Sequence, residues 1–308
     1  MAAELPSPPF IDVPGIANFR GIGGHVDPGL IYRSADPTKA SKAGLEKMSK
    51  ECVESPPRDV RTEADIRESR SVMTLANARA TTQPRSDLQH YLGIRVVFDL
   101  RSAPEIKRDG PEWAGVAVED ADVFEAYGIQ REWVPVFAEK DYGPEQLAKL
   151  SSVHKVRLDG LRRRVPRHLE VRRAAYAKIF RHLAQPRPRP ILVHCTAGKD
   201  RTGVLVALLL LLAGAPDTDI AREYALTDLG LAGLKPLFKE RLLKNPALGG
   251  DEEGVDNMIS SKPENMSATI EMIKEDFGGA ERYVTEYCGL SEGEIKLLRQ
   301  NITEGALQ

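Results

Sequence analysis

The apolar positions of this chain change character along its length. In the first two thirds they come mainly as short runs closed by turn residues. Ile191-Leu192-Val193 reads as a buried strand, and so does Ile94-Arg95-Val96-Val97-Phe98-Asp99-Leu100-Arg101-Ser102, which ends in a polar turn. Residues 30–33 form a third run, and glycines at 21, 23 and 24 predict a tight turn leading into it. Residues 131–137 form a fourth, where Pro135 predicts an edge strand or a strand end. Helical spacing appears at 174–183, and Asp36-Pro37-Thr38 predicts a helix start that runs on through Met48. Short helices are expected from Glu105 to Arg108 and from Asp141. After Gly203 the pattern turns almost wholly helical. Val204-Leu205-Val206-Ala207-Leu208-Leu209 opens a buried helix that Gly214 and Pro216 end. Further helices are expected at 217–226, 234–243, 266–277, 280–287 and 291–302, with Gly278-Gly279 and Gly289 as cap signals. The expected fold class is α/β, a central and mostly parallel sheet flanked by helices, with a helical C-terminal part.

Two stretches break the pattern. Residues 52–91 are polar with little periodicity, and a long loop of that kind is unusual inside a compact domain. Deleting them in thought joins Glu51 to Leu92 and yields helix, glycine cap and strand in direct succession, which marks the segment as a surface insertion or as intron sequence carried into the chain. The second stretch is a basic region within 149–173, where Arg162-Arg163-Arg164, Arg167, His168, Arg172 and Arg173 crowd together. It reads as a lid-like element or as a solvated face. Residues 1–14 carry several prolines and are expected as an extended arm, with residues 15–308 forming one domain.

Composition narrows the partners. The chain has 308 residues and a formal net charge of −2, which gives no global reason to bind nucleic acid or membrane. Its most apolar stretch, 204–213, is too short to span a bilayer, so no stable membrane insertion is expected. The three cysteines, Cys52, Cys195 and Cys288, show no metal-ligand spacing and fit a reducing, cytoplasmic setting. No cofactor and no metal are implied, and the oligomeric state is not readable.

The chemistry concentrates in Val193-His194-Cys195-Thr196-Ala197-Gly198-Lys199-Asp200-Arg201-Thr202-Gly203. A strand that ends in a glycine-containing loop and opens a helix makes an anion site from backbone N–H groups and the helix terminus. A cysteine leading such a loop is a nucleophile whose thiolate the site stabilises. An arginine at its end holds two oxygens of a phosphoryl group in a planar fork. Cysteine, five residues, then arginine is the spacing of the cysteine-dependent protein tyrosine phosphatases. A sulfur-transfer enzyme also uses a cysteine loop, but Gly198 with Arg201 favours phosphate.

The full string resembles the atypical tyrosine/serine protein phosphatases of bacteria and fungi. Asn18-Phe19-Arg20 with Gly23-Gly24, Tyr32-Arg33-Ser34, Phe98-Asp99-Leu100-Arg101-Ser102 with Glu105, His194 to Gly203, Phe277-Gly278-Gly279 and Leu290-Ser291 carry the resemblance. Gly21 departs from it, since the family has aspartate after Asn-Phe-Arg. The resemblance implies a tyrosine-phosphatase-like fold and hydrolysis of phosphotyrosine, with phosphoserine or phosphothreonine as further substrates. The alternatives are a phosphoinositide phosphatase and a catalytically silent phosphate-binding protein.

The expected roles follow. Cys195 attacks phosphorus and Arg201 holds the equatorial oxygens together with the N–H groups of Thr196, Ala197, Gly198 and Lys199. Thr202 bonds the sulfur. Asp200 is the preferred general acid, the resemblance also pointing to it, with Asp159 and Asp141 as other candidates. Asp99 positions water or Arg201, or is a structural aspartate. His194 orients the loop. Lys199 is a second cation for more highly charged substrates, or a solvated lysine.

Overall fold

Three strands are buried at every position: Ile31–Ser34 (β2), Val96–Asp99 (β3) and Ile191–His194 (β5). That burial requires cover on both faces, which is how parallel strands occur. In the computed structural model, which describes residues 5–50, 92–108, 121–136, 165–244 and 250–304, they form the centre of a five-stranded sheet. Arg20–Gly21 (β1) and Gln130–Trp133 (β4) are its edges, and the order is β1-β2-β5-β3-β4. β1 runs antiparallel to β2 and every other pair is parallel. Among the described residues β4 is thus an edge strand with Pro135 just beyond it, as its proline predicted.

The register aligns Tyr32, Leu192 and Val97 in one row, and Ser34, His194, Asp99 and Trp133 in another. Between these rows the side chains face the opposite way. Ile31, Ile191, Val96, Val193 and Phe98 belong to the larger core, and Tyr32, Leu192 and Val97 to a smaller one. The large core is closed by Val165–Leu183 (α4), Asp200–Leu212 (α5) and the C-terminal helices, while Lys42–Ser49 (α1) packs on the other face. Ala103–Arg108 (α2) follows β3, and Ala121–Glu125 (α3) precedes β4.

The helix expected from Asp36 to Met48 is two pieces. Asp36 caps a 3-10 turn at Pro37–Lys39, and Ala40 is extended. Ser41 then accepts from the Gly44 N–H and starts α1 afresh. The C-terminal part contains Asp217–Ala225 (α6), Lys235–Leu243 (α8), Pro263–Phe277 (α10) and Glu292–Thr303 (α12), close to expectation. Thr227–Gly230 (α7) and Glu252–Ile259 (α9) were not expected. The span 280–287 is a short helix, Ala280–Arg282 (α11), that widens into a π-turn at Tyr283–Tyr287. Gly278 caps α10 at φ 69°, as its position predicted.

The N-terminal stretch is not an arm along its whole length. Phe10 and Val13 are buried, and the Ile11 N–H donates to the Phe19 carbonyl. The segments 52–91 and 149–164 lie outside the described residues, as does Asp141. The remainder of the basic region forms the start of α4. The chain on either side of 52–91 does meet: the Leu92 N–H donates to Lys47 O at 3.1 Å and the Gly93 N–H to Lys50 O at 2.8 Å. Gly93, at φ 59°, therefore closes the C-terminal end of α1 and leads straight into β3. No helix among the described residues is long and apolar enough to cross a membrane.

Candidate active site

β2, β3 and β5 deliver their carboxyl ends to one edge of the sheet, where ligands bind in open α/β folds. The loop 195–199 leaves β5 there and turns into α5. Cys195 is 3% exposed at the base of the loop. Gly198 sits at φ 63°, and a Cβ on it would meet the Ser34 carbonyl oxygen at 2.0 Å, so no other residue fits.

The loop's carbonyls are tied on its outer side. Asn18 Nδ2 donates to Ala197 O at 3.1 Å, and Arg33 donates to Gly198 O at 2.6 Å. Both residues belong to one buried network. Glu223 of α6 accepts from Arg20 at 2.9 Å and from Arg33 at 2.5 Å, and Arg20 also bonds Asn18 Oδ1 and Thr227 Oγ1. Burial opposes the charge on Glu223, but Arg20 and Arg33 reverse that and hold its carboxyl below the usual range. With the carbonyls spoken for, the backbone N–H groups of residues 196–201 make no hydrogen bond to any described residue. They form a cradle of unpartnered donors at the start of a buried thirteen-residue helix.

Arg201 is held flat beside this cradle. Its two terminal nitrogens donate to the two Glu105 oxygens, each at 2.6 Å. Glu105 also accepts from Thr196 Oγ1 at 2.8 Å and from the Ser102 N–H at 2.9 Å. Burial works against the Glu105 charge, yet Arg201 and these donors bring its pKa down to about 2. Burial likewise opposes the Arg201 charge, and the Cys195 sulfur and Glu105 overcome it and move that pKa up. The Tyr176 hydroxyl of α4 donates to Arg201 O at 2.7 Å.

Asp200 is the first residue of α5. Its carboxylate is 59% exposed, 3.5 Å from Lys199 Nζ, and accepts from the Tyr224 hydroxyl at 3.2 Å.

Three expected residues stand differently. Lys199 does not offer its ammonium to the loop centre: Nζ donates to Met258 O at 2.5 Å and Ser260 O at 3.0 Å, the carbonyls that end α9. Loose carbonyls at a helix C-terminus attract a cation, and they compete successfully for this one. Asp99 does not touch Arg201. It is fully buried and ion-paired to Arg101 at 2.9 Å and Arg131 at 2.5 Å, so it supports the loop from beneath. Burial disfavours its charge, but His194 and Arg101 face it and the carboxyl stays well below the ordinary range. Burial pushes the His194 imidazole down as well, so near neutral pH the arginines supply the charge opposite Asp99. His194 Nδ1 lies 3.2 Å from the Cys195 carbonyl, an orienting contact made as a donor. The buried Thr202 hydroxyl makes no hydrogen bond among the described residues, to the Cys195 sulfur included.

Glu105 and Glu223 were given no role from the sequence. The pair Ser102 and Glu105 three residues on is a helix-start signal that could have singled out Glu105. Cys288, the other described cysteine, is buried, and burial pushes its thiol up to about 12, which leaves it inert.

A model of the tyrosine phosphatase family matches residues 58–304, and the chain belongs to that family. A tyrosine-protein phosphatase of Nostoc commune is 33% identical over 126 residues, 40% of this chain and 42% of that protein. The triple specificity protein phosphatase PtpB of Mycobacterium tuberculosis is 28% identical over 119 residues, 36% of this chain and 43% of that protein. The chain thus spans less than half the length of these two relatives. The catalytic core of Siw14 aligns over 86% of this chain and 98% of its own, at 16% identity and a TM-score of 0.31.

Proposed function

We propose that the chain is a cysteine-dependent phosphatase that hydrolyses phosphotyrosine in proteins through a phosphocysteine intermediate. The observation that carries this reading is the cradle itself: six backbone N–H groups without partners, next to an arginine fork fixed by Glu105. Such preorganised donors stabilise the charge that spreads over three phosphoryl oxygens in the transition state.

Cys195 Sγ attacks phosphorus, and the S–P bond forms as the ester P–O bond breaks. Asp200 gives its proton to the departing oxygen. Water then attacks the phosphocysteine, returning a proton to Asp200, while the S–P bond breaks and inorganic phosphate leaves. Thr202, whose buried hydroxyl has no partner among the described residues, is free to donate to the sulfur as the S–P bond breaks. The nucleophile works only as a free thiol, which fits the cytoplasm. The relative named for triple specificity is the reason to test phosphoserine and phosphothreonine too. The phosphoinositide alternative drew on Lys199 and on the basic cluster at 162–173: the Lys199 ammonium is engaged by α9, and the cluster's side chains up to Arg172 lie outside the described residues.

The test is phosphate release without added metal from a phosphotyrosine peptide, a phosphoserine peptide and phosphatidylinositol phosphate vesicles. Release from the tyrosine peptide that disappears in Cys195→Ser supports the proposal. A folded wild type that binds phosphate but releases none makes the chain a silent binding protein instead.

A further inference from the structure

At the amino ends of β3 and β4, away from the catalytic loop, a cavity of about 600 Å³ opens between the sheet and α4. Val96 and Phe98 form an apolar floor, and the His182 ring meets Phe98 edge-on with centroids 5.6 Å apart. His182 Nε2 donates to Arg189 O at 3.0 Å, and burial pushes the imidazole down, so the ring is a neutral aromatic wall at neutral pH.

The rim is cationic. Lys178, Arg181 and Arg189 line it against one carboxylate, Glu132, which Lys178 already pairs. Arg181 donates to Cys288 O and Gly289 O at 3.1 and 2.9 Å and lies 3.8 Å from the Glu294 carboxylate. The exposed Arg189 side chain makes no ion pair among the described residues. An aromatic floor beneath an excess of positive charge fits one ligand chemistry, a planar ring bearing an anion.

The same helix touches both places. Ala174, Lys178, Arg181 and His182 form one stripe of α4 along the cavity. Tyr176, on its buried side, donates to the backbone of Arg201. A shift of α4 at the stripe would reach the Arg201 backbone through the Tyr176 hydroxyl.

We propose that this cavity is a regulatory site for a small planar aromatic anion, coupled to the catalytic loop through α4 and Tyr176. The coupling rests on the phosphatase reading; the binding does not. The probe is anilinonaphthalenesulfonate, titrated by fluorescence into the full chain with vanadate present to occupy the catalytic loop. Wild type is expected to bind one molecule per chain. Arg189→Glu, a change at an exposed side chain, is expected to weaken binding about tenfold. Ala174→Trp, which fills the cavity, is expected to abolish it. Equal binding by wild type and both variants overturns the site. In a second arm, phosphate release from a phosphotyrosine peptide is followed as the probe is added. Turnover is expected to change in wild type, and not in Ala174→Trp or Tyr176→Phe. Binding that Ala174→Trp removes, without any effect on wild-type turnover, overturns the coupling and leaves the site standing.

Discussion

In the proposed reaction Arg201 holds the phosphoryl oxygens, and much of its value there lies in the residue that holds it. A free arginine samples many rotamers, and fixing its fork costs entropy at each turnover unless another side chain has done so beforehand. Glu105 does this with two bonds of 2.6 Å. Replacing it by Gln removes the charge and turns an amide donor toward the guanidinium. We expect Glu105→Gln to lower kcat/KM for a phosphotyrosine peptide by roughly 100-fold, about 3 kcal/mol of transition-state binding. Its effect on stability has a definite sign. The Glu105 pKa falls from 4.5 to about 2 on folding, so its contribution, on the order of 3 kcal/mol, is complete above about pH 4.5 and lost as the pH drops toward 2. Acid unfolding followed by circular dichroism should be shallower in that window for Glu105→Gln. Asp200 invites a different measurement, because a general acid matters most for a poor leaving group. Asp200→Asn should cost roughly 100-fold in kcat on a phosphoserine peptide, and far less on p-nitrophenyl phosphate. Equal losses on both substrates would move the acid elsewhere.

One strand, one loop and one helix build the cradle, but elements distant in sequence hold its shape. Glu223 lies on α6, about 200 residues beyond Arg20, and the two arginines it bridges are fully buried. Removing one partner of such a cluster leaves uncompensated charge in the interior. Glu223→Ala should therefore destabilise the chain by about 3–5 kcal/mol in urea unfolding, well beyond a surface substitution. Arg33→Met leaves Arg20 and Glu223 as a balanced pair but releases the Gly198 carbonyl, so it should cost less stability in urea unfolding than Glu223→Ala while still lowering kcat/KM. This level shows why the site was only partly legible. The loop was readable because cysteine, glycine and arginine act through local geometry: strand end, positive φ, helix start. Lys199 was misread because its neighbours in sequence suggest an anion site, while its partners are carbonyls of α9, 59 and 61 residues away. Asp99 was half-read, since a strand-end aspartate was recognised but not the Arg101 and Arg131 that consume it. Glu223 gave no signal at all, because nothing in an amphipathic helix marks which carboxylate faces two buried arginines.

The fold was more legible than the site, for a physical reason. β2, β3 and β5 are covered on both faces, so their apolar runs are continuous and stand out, and α5 announces itself by the same saturation. Helices were misjudged where a cap, rather than periodicity, sets the boundary, as Ser41 does for α1 and Asp251 for α9. The chain on either side of 52–91 comes together in the structure, which is what the insertion proposal requires. Lys47 O and Lys50 O accept from Leu92 and Gly93, so residues that lie after the segment cap α1. A plain chain of about 40 residues spanning that gap costs closure entropy, and shortening it to a few residues recovers on the order of 2 kcal/mol. A variant joining Glu51 directly to Leu92 should therefore fold, keep its phosphatase rate within about twofold, and unfold at higher urea concentration than wild type. A lower urea midpoint with normal turnover would assign packing contacts to the segment. Normal stability with lost turnover would instead make it a working part of the substrate site, supplied by the one long stretch whose polarity gave no reason to place it there.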